Sequence, residues 1–351
     1  MKSLDLIESE VIGGVDTHQD LHIAAVVTPD GTALETASFP TTRAGYRRLL
    51  AWMRSHGTLL RVGVEATGTY GAGLVRLLAR EGVPVLEVTA PDKVARRGKG
   101  KDDVIDAVAA ARAAAFGQRV QVAKDRNGQV EALRVLRTTR KTAMKCRRAA
   151  LQQLHNTIVA APEDLRDELR HFTRMKLLRT CAAWRPNMIA YRDPTVATKI
   201  AIRSLCRRVL DINDEIAELN QLIQPLVAEL APTLIALEGV GTECAGELLV
   251  TAGENPERLR SEASFAMLCG ASPIPASSGK TQRHRLTRGG NRQANSALHM
   301  IVICRMRTDP RTKDYVARRL AEGLSKREVI RCLKRYVARE VFSILVARTA
   351  T

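Results

Sequence analysis

Aromatic side chains are scarce: Phe, Trp and Tyr together make up 3% of the 351 residues. That argues against platforms that bind single strands by stacking bases on exposed rings. Cysteine pairs are missing as well. The seven cysteines lie at 146, 181, 206, 244, 269, 304 and 332, never closer than 25 residues, and no C-x-x-C occurs. A zinc knuckle or ribbon is therefore not expected, and the odd, scattered set fits a reducing compartment. No apolar run approaches membrane-spanning length. The first residues, MKSLDLIESE, contain no apolar signal core. The expected location is cytoplasmic, associated with the nucleoid in use. A G-x-x-x-x-G-K-[ST] loop is also absent, so no NTP-driven step is expected. Internal repeats and low-complexity tracts are not found.

Positive charge, in contrast, is abundant. Lys and Arg number 55 against 37 Asp and Glu, for a formal net charge of +18. Such an excess concentrates polyanions, and nucleic acid is the usual partner. With few aromatics, the expected contacts are to backbone phosphates. Apolar content of 45% is ample for folded cores, and the length suggests two or three domains.

Three regions follow from the patterning. Residues 1–122 read as α/β. VIGGVD, RVGVEA and PVLEVTA are apolar strands, HIAAVVT and TALETASF flank a Pro-Asp-Gly hairpin, and GAGLVRLLAREG and DDVIDAVAAARAAAF are helical. Residues 123–230 are expected to be helical or coiled-coil. Arg134, Arg137, Lys141, Lys145 and Arg148 recur at helical steps, and the stretch from Arg134 to Arg148 contains no acid. A one-sign stripe is an expected nucleic-acid track. Ile212, Ile216, Leu219, Leu222, Leu226 and Leu230 form an expected apolar seam, suited to packing within the chain or to subunit pairing, with Pro225 inside it against one long coiled coil. Residues 231–351 are mainly helical. There Gly239-Val240-Gly241 suggests a helix–hairpin–helix turn that meets a DNA phosphate.

Four carboxylates stand out. Asp16 and Glu65 close two apolar strands, where side chains from distant positions converge. Asp103 and Asp106 lie three apart at the start of a helix and point to one side. Each alone has a plain structural reading: a turn residue, an Arg partner, or an N-cap at Asp102 or Asp103. Together they suit two hard cations against a phosphodiester, which favours Mg²⁺ or Mn²⁺. His18 and His22 flank the first acid and are expected as contact residues outside the metal set. Far downstream, ASSGKTQRHRLTRGGNRQANSALH sets Ser277 and Ser278 among Lys280, Arg283, Arg285, Arg288 and Arg292, with no acid from Ala276 to His299. By composition alone this segment reads as a phosphate-binding loop, since a serine needs activation to attack.

VIGGVDTHQD, VGVEATGTYG, KDDVIDAVAAARA and ENPERLRSEASFAMLCGASPIPASSGKTQRHRLTRGGNRQANSALH together resemble the DEDD insertion-sequence transposases. The resemblance spans nearly the whole chain and is least specific over 124–230. It implies an RNase H-like (RuvC-like) domain followed by a transposase domain with a catalytic serine. Asp16, Glu65, Asp103 and Asp106 become the metal tetrad, the family pattern K-x-D-x-x-D selecting Asp103 over Asp102. The serine beside glycine, Ser278, becomes the nucleophile, with Ser277 a near-equivalent. The implied activity is DNA cutting and rejoining through a phosphoserine, in a composite site shared between subunits of a dimer or tetramer. A bridge RNA that pairs with target and donor DNA is the implied guide. The alternatives are a RuvC-like junction nuclease that uses metal alone, or a non-enzymatic DNA-binding protein.

Overall fold

The computed structural model describes residues 9–88, 102–118, 120–279, 284, 285, 287 and 289–347. Contacts divide the chain into two compact units, one of Met1–Glu131 with Thr251–Thr351, the other Ala132–Val250.

The first unit opens on a mixed sheet. Its strands are β1 (Glu10–Thr17), β2 (Leu21–Val27), β3 (Ala33–Pro40), β4 (Thr58–Val64), β5 (Val85–Val88) and β6 (Val120–Val122), in the order β3-β2-β1-β4-β5-β6. β1, β2 and β3 are antiparallel neighbours, β4 and β5 run parallel to β1, and β6 is antiparallel to β5. The Pro-Asp-Gly hairpin is there, with Gly31 at φ +85°. α1 (Arg43–Arg54) and α2 (Ala72–Arg80) lie on one side of the sheet. They share a core with Val11, Val15, Val62 and Val64. α3 (Asp103–Phe116) lies on the other side, packed with Ile12 and Val27.

α3 approaches the sheet unusually closely. Its contact face is alanine: Ala107, Ala110, Ala111 and Ala114 are all buried. The strands answer with glycine. A Cβ on Gly14 would lie 2.2 Å from the Ala111 backbone nitrogen, and one on Gly63 would lie 2.4 Å from the Ala110 oxygen. Small residues on both sides thus let backbone meet backbone.

The second unit is helical, as the patterning predicts. It is built mainly from α4 (Gln129–Val159), α5 (Glu163–Leu169), α6 (Arg174–Ala182), α7 (Pro194–Leu230), α8 (Pro232–Ile235) and α9 (Thr242–Ala252). α4 to α7 bury Leu154, Leu165, Leu178, Ile202 and Val209 together. α7 runs through Pro225. Its buried face is Ile202, Leu205, Cys206, Val209, Ile216, Ile223 and Val227. Of the expected seam, Ile216 is buried here, Ile212, Leu219, Leu226 and Leu230 are half-buried, and Leu222 is 57% exposed. Gly239, at φ +75°, turns the chain between α8 and α9.

The remainder of the first unit is α10 (Glu262–Leu268), a short hairpin of β7 (Ile274–Pro275) and β8 (His284–Arg285), α11 (Arg292–Thr308), α12 (Pro310–Ala321) and α13 (Lys326–Ala347). Asn255 joins this part to the end of the sheet. Its amide donates to the Ala123 carbonyl at 3.0 Å, and its oxygen accepts from the Asp125 amide at 3.2 Å.

Candidate metal centre and serine hairpin

Strand alternation decides where the acids point. Gly14 and Ile12 of β1 face α3, whereas Val11 and Val15 face α1 and α2. Asp16 shares the parity of Ile12 and Gly14 and so faces α3. Val15 pairs with Val64, and the Glu65 amide continues the ladder to the Val15 carbonyl at 3.2 Å. Glu65 shares the parity of Gly63, so it emerges on the same face, one strand away. α3 runs antiparallel to β1, so its N-terminus stands over the ends of both strands.

Asp102 caps that N-terminus, its side chain accepting from the Val104 amide at 2.9 Å. Asp103 and Asp106 fall in the first turn, where the helix dipole favours negative charge. Asp102 thus fills the structural role and leaves Asp103 to face the strand ends.

A histidine completes the arrangement. His18 Nδ1 lies 3.6 Å from an Asp16 carboxylate oxygen, and His18 Nε2 lies 3.6 Å from one of Asp103. One donor atom from each of Asp16, His18 and Asp103 falls within 4.8 Å of the others. Glu65 and Asp106 lie outside that trio. Asp16 is buried, while His18, Glu65, Asp103 and Asp106 are half-exposed. Two carboxylates and an imidazole at this spacing fit a divalent ion with borderline ligand preference, such as Mn²⁺, as well as Mg²⁺. His18 was expected outside the metal set; its only signal in sequence is its place two residues after Asp16, just past the end of β1.

His22 has a different place. It is fully buried on the opposite face of β2, stacked on Tyr46 at 5.4 Å between ring centroids. Burial holds its pKa below the ordinary histidine value, and its ring nitrogens make no hydrogen bond among the described residues.

The backbone after Glu65 is strained. Ala66 adopts φ +47°, a left-handed conformation costly for a residue with a Cβ. Its carbonyl accepts from the Thr69 and Gly71 amides. The buried Thr67 hydroxyl donates to Glu87 at 2.8 Å. These bonds fix the turn that carries Glu65 past the end of its strand.

Ser277 and Ser278 follow β7 on its hairpin with β8, both exposed, and Gly279 turns the chain at φ +54°. Arg285 and Arg292 are exposed nearby in sequence, Arg292 opening α11. Lys280, Arg283 and Arg288 lie outside the described residues.

The basic stripe of α4 divides into two kinds of residue. Lys145 and Arg148 are exposed. Arg134 and Lys141 are half-buried. Arg137 is largely buried and pairs with Glu247 at 3.2 Å and Glu243 at 3.5 Å, and Arg140 reaches Glu243 at 2.9 Å. The acids come from α9, so a count within α4 could not reveal them. Arg148 also lines a cavity of about 610 Å³ with Arg147, His155 and Arg174.

No helix among the described residues is long and apolar enough to cross a membrane. Two family models match the chain. Residues 13–161 match the DEDD transposase of the IS110 type, and residues 231–317 match the transposase family IS116/IS110/IS902. An insertion element IS110 protein of 43.6 kDa from Streptomyces coelicolor is 29% identical over 153 residues, 43% of this chain and 36% of the relative. The chain thus spans about a third of that relative's length in the match. Both matching models describe IS110-type transposases, over residues 13–161 and 231–317, and the chain belongs to that family.

Proposed function

We propose that this protein cuts and rejoins DNA to move its own insertion element. The observation that carries the reading is the convergence of Asp16, His18 and Asp103, beside Glu65, which follows β4 next to Asp16, and Asp106 in the first turn of α3. We read the sheet, with its antiparallel β1–β3 and parallel β4 and β5, as RNase H-like. Asp16, Asp103, Glu65 and Asp106 would hold Mg²⁺ or Mn²⁺, with His18 as a further ligand. A cation there supplies charge stabilisation for attacking and leaving oxygens of a phosphodiester.

Ser278 is the proposed nucleophile. Its Oγ forms a bond to phosphorus as one bridging deoxyribose oxygen departs. The serine loses its proton and the departing oxygen gains one, so the step balances. The phosphoserine keeps the bond energy for rejoining, and no NTP is required. Arginines of the segment, Arg285 among those described, would neutralise the phosphate. Assembly into a dimer or tetramer, with the serine of one subunit served by the acids of another, and guidance by a bridge RNA complete the proposal. Exposed Lys145 and Arg148 suit backbone contact with RNA or DNA, and the Gly239–Gly241 turn suits a further phosphate contact.

The test is recombination of a plasmid that carries the gene with its native flanks. Asp16→Asn should abolish strand cleavage in Mg²⁺ and Mn²⁺. Ser278→Ala, with Ser277 intact, should abolish both joining and the covalent protein–DNA adduct. Normal recombination by Ser278→Ala would refute the serine chemistry. Cleavage without joining by that variant would point to hydrolysis at the acids alone.

A further inference from the structure

A second concavity, of about 650 Å³, lies in the first unit beside the serine hairpin. Neither the acids nor Ser277 and Ser278 line it. Its walls are the 270–273 turn, His284 and Arg285 of β8, and one face of α13, closed by Arg319 and Leu324. Arg285, Arg319, Arg331, Lys334, Arg335 and Arg339 give it six cationic side chains, against a single acid, Glu328. Glu328 is engaged with the amide and hydroxyl of Ser325 at the start of α13, at 2.9 and 2.7 Å, and lies 3.6 Å from Arg331. Arg331, Arg335 and Arg339 succeed one another at four-residue steps, so one helical face supplies them.

Two of these groups are set deeper than a solvated charge requires. Lys334 is only 7% exposed. Its ammonium donates to the Asn295 side-chain oxygen at 2.9 Å, a neutral partner. Asn295 is locked in that orientation because its amide donates to the Cys269 and Gly270 carbonyls at 2.9 and 2.8 Å. Lys334 makes no ion pair among the described residues. Arg335 pairs one terminal nitrogen, Nη2, with Glu262 at 3.0 Å, while Nη1 is buried with no hydrogen-bond partner among the described residues. A buried cation without a counter-charge, and a buried donor without an acceptor, are both disfavoured unless something anionic arrives.

We propose that this cleft seats a backbone phosphate of the DNA strand presented to Ser278, with Lys334 and Arg335 as its buried donors and Arg285 and Arg331 at its rim. Phosphate fits because the lining offers many donors and few acceptors. DNA is the occupant because β8, which lends Arg285 to the cleft, is paired with β7, which leads into Ser277 and Ser278. This rests on the reading of Ser278 as the residue that meets DNA.

The test is binding of a fluorescein-labelled 30-base-pair duplex from the element's end to the full chain without divalent metal, over a range of KCl. An RNA hairpin of equal length is measured alongside. Lys334→Gln and Arg331→Gln should each weaken duplex binding about five- to tenfold and lower the salt slope by about one. Arg318→Gln, exposed and outside the cleft, should change neither. Should Lys334→Gln lose its thermal transition, Arg331→Gln decides. Unchanged duplex affinity in the folded variants overturns the proposal. An equal loss with the RNA hairpin also overturns it, by assigning the cleft to RNA. Binding is read without cleavage, so a negative result here leaves the metal and serine tests untouched. Conversely, Ser278→Ala that still recombines defeats the serine reading whatever the binding shows.

Discussion

Asp102 and Asp103 are adjacent and chemically identical, yet the fold separates their roles. Asp102 caps α3, and asparagine caps about as well. Asp102→Asn should therefore cleave within about twofold of the parent rate, since the cap survives. Asp103→Asn should lose at least about a hundredfold, because the proposed metal site loses one of its charges. Loss in Asp102→Asn with near-parent cleavage by Asp103→Asn would show that the assignment is reversed, and equal rates would show that the fold does not separate the two. His22 makes a different prediction. Its folded pKa is lowered by burial, so the unfolded chain binds more protons near and below the ordinary histidine pKa. Stability is full above that value and falls as pH drops through it towards the lower folded pKa. Urea unfolding between pH 7.5 and 5 should show a shallower pH dependence in His22→Phe. Arg137 belongs to the residue scale too. Arg137→Ala should cost about 1–3 kcal/mol, from loss of its largely buried ion pairs with Glu247 and Glu243, whereas Lys145→Ala, at an exposed position, should leave the melting temperature in place.

At the scale of elements, α3 links the glycines of the sheet to the acids of the site. A methyl group on Gly14 meets backbone rather than a yielding side chain. Gly14→Ala should therefore lift α3, cost about 1–3 kcal/mol in denaturant unfolding, and reduce metal-dependent cleavage more than that loss alone explains. A variant that melts lower but cleaves normally would show that α3 does not position Asp103. Much of this element was legible in sequence. The apolar runs of VIGGVD and RVGVEA marked β1 and β4, with Asp16 near the end of one and Glu65 just past the end of the other, and the alanine run of DDVIDAVAAARAAAF marked the helix. The close approach was not legible, because Gly-Gly in a strand does not say which helix it admits. His18 was missed for a related reason: it matters only when α3 stands above it, and that is a tertiary fact. α7 shows the limit of periodicity. Its leucines and isoleucines form overlapping stripes: Ile202, Leu205 and Val209 are packed against α4 to α6, while Leu222 stays exposed.

For the whole molecule, charge and chemistry fall in separate elements of the chain. An acidic cluster suited to cations lies at the strand ends, a serine hairpin and a cationic cleft lie in the C-terminal part, and exposed Lys145 and Arg148 lie on α4. Lys145→Gln with Arg148→Gln should weaken nucleic-acid binding and lower its salt slope by about two, without changing the cleavage rate at saturation. An unchanged slope would remove this face of α4 from the binding surface. Every step proposed for this chain depends on the acids holding a cation. Titration of the full chain with Mn²⁺, followed by electron paramagnetic resonance, tests this most directly. The expected result is a bound ion that Asp16→Asn abolishes and His18→Ala weakens about tenfold or more. Undiminished Mn²⁺ binding by Asp16→Asn would contradict it.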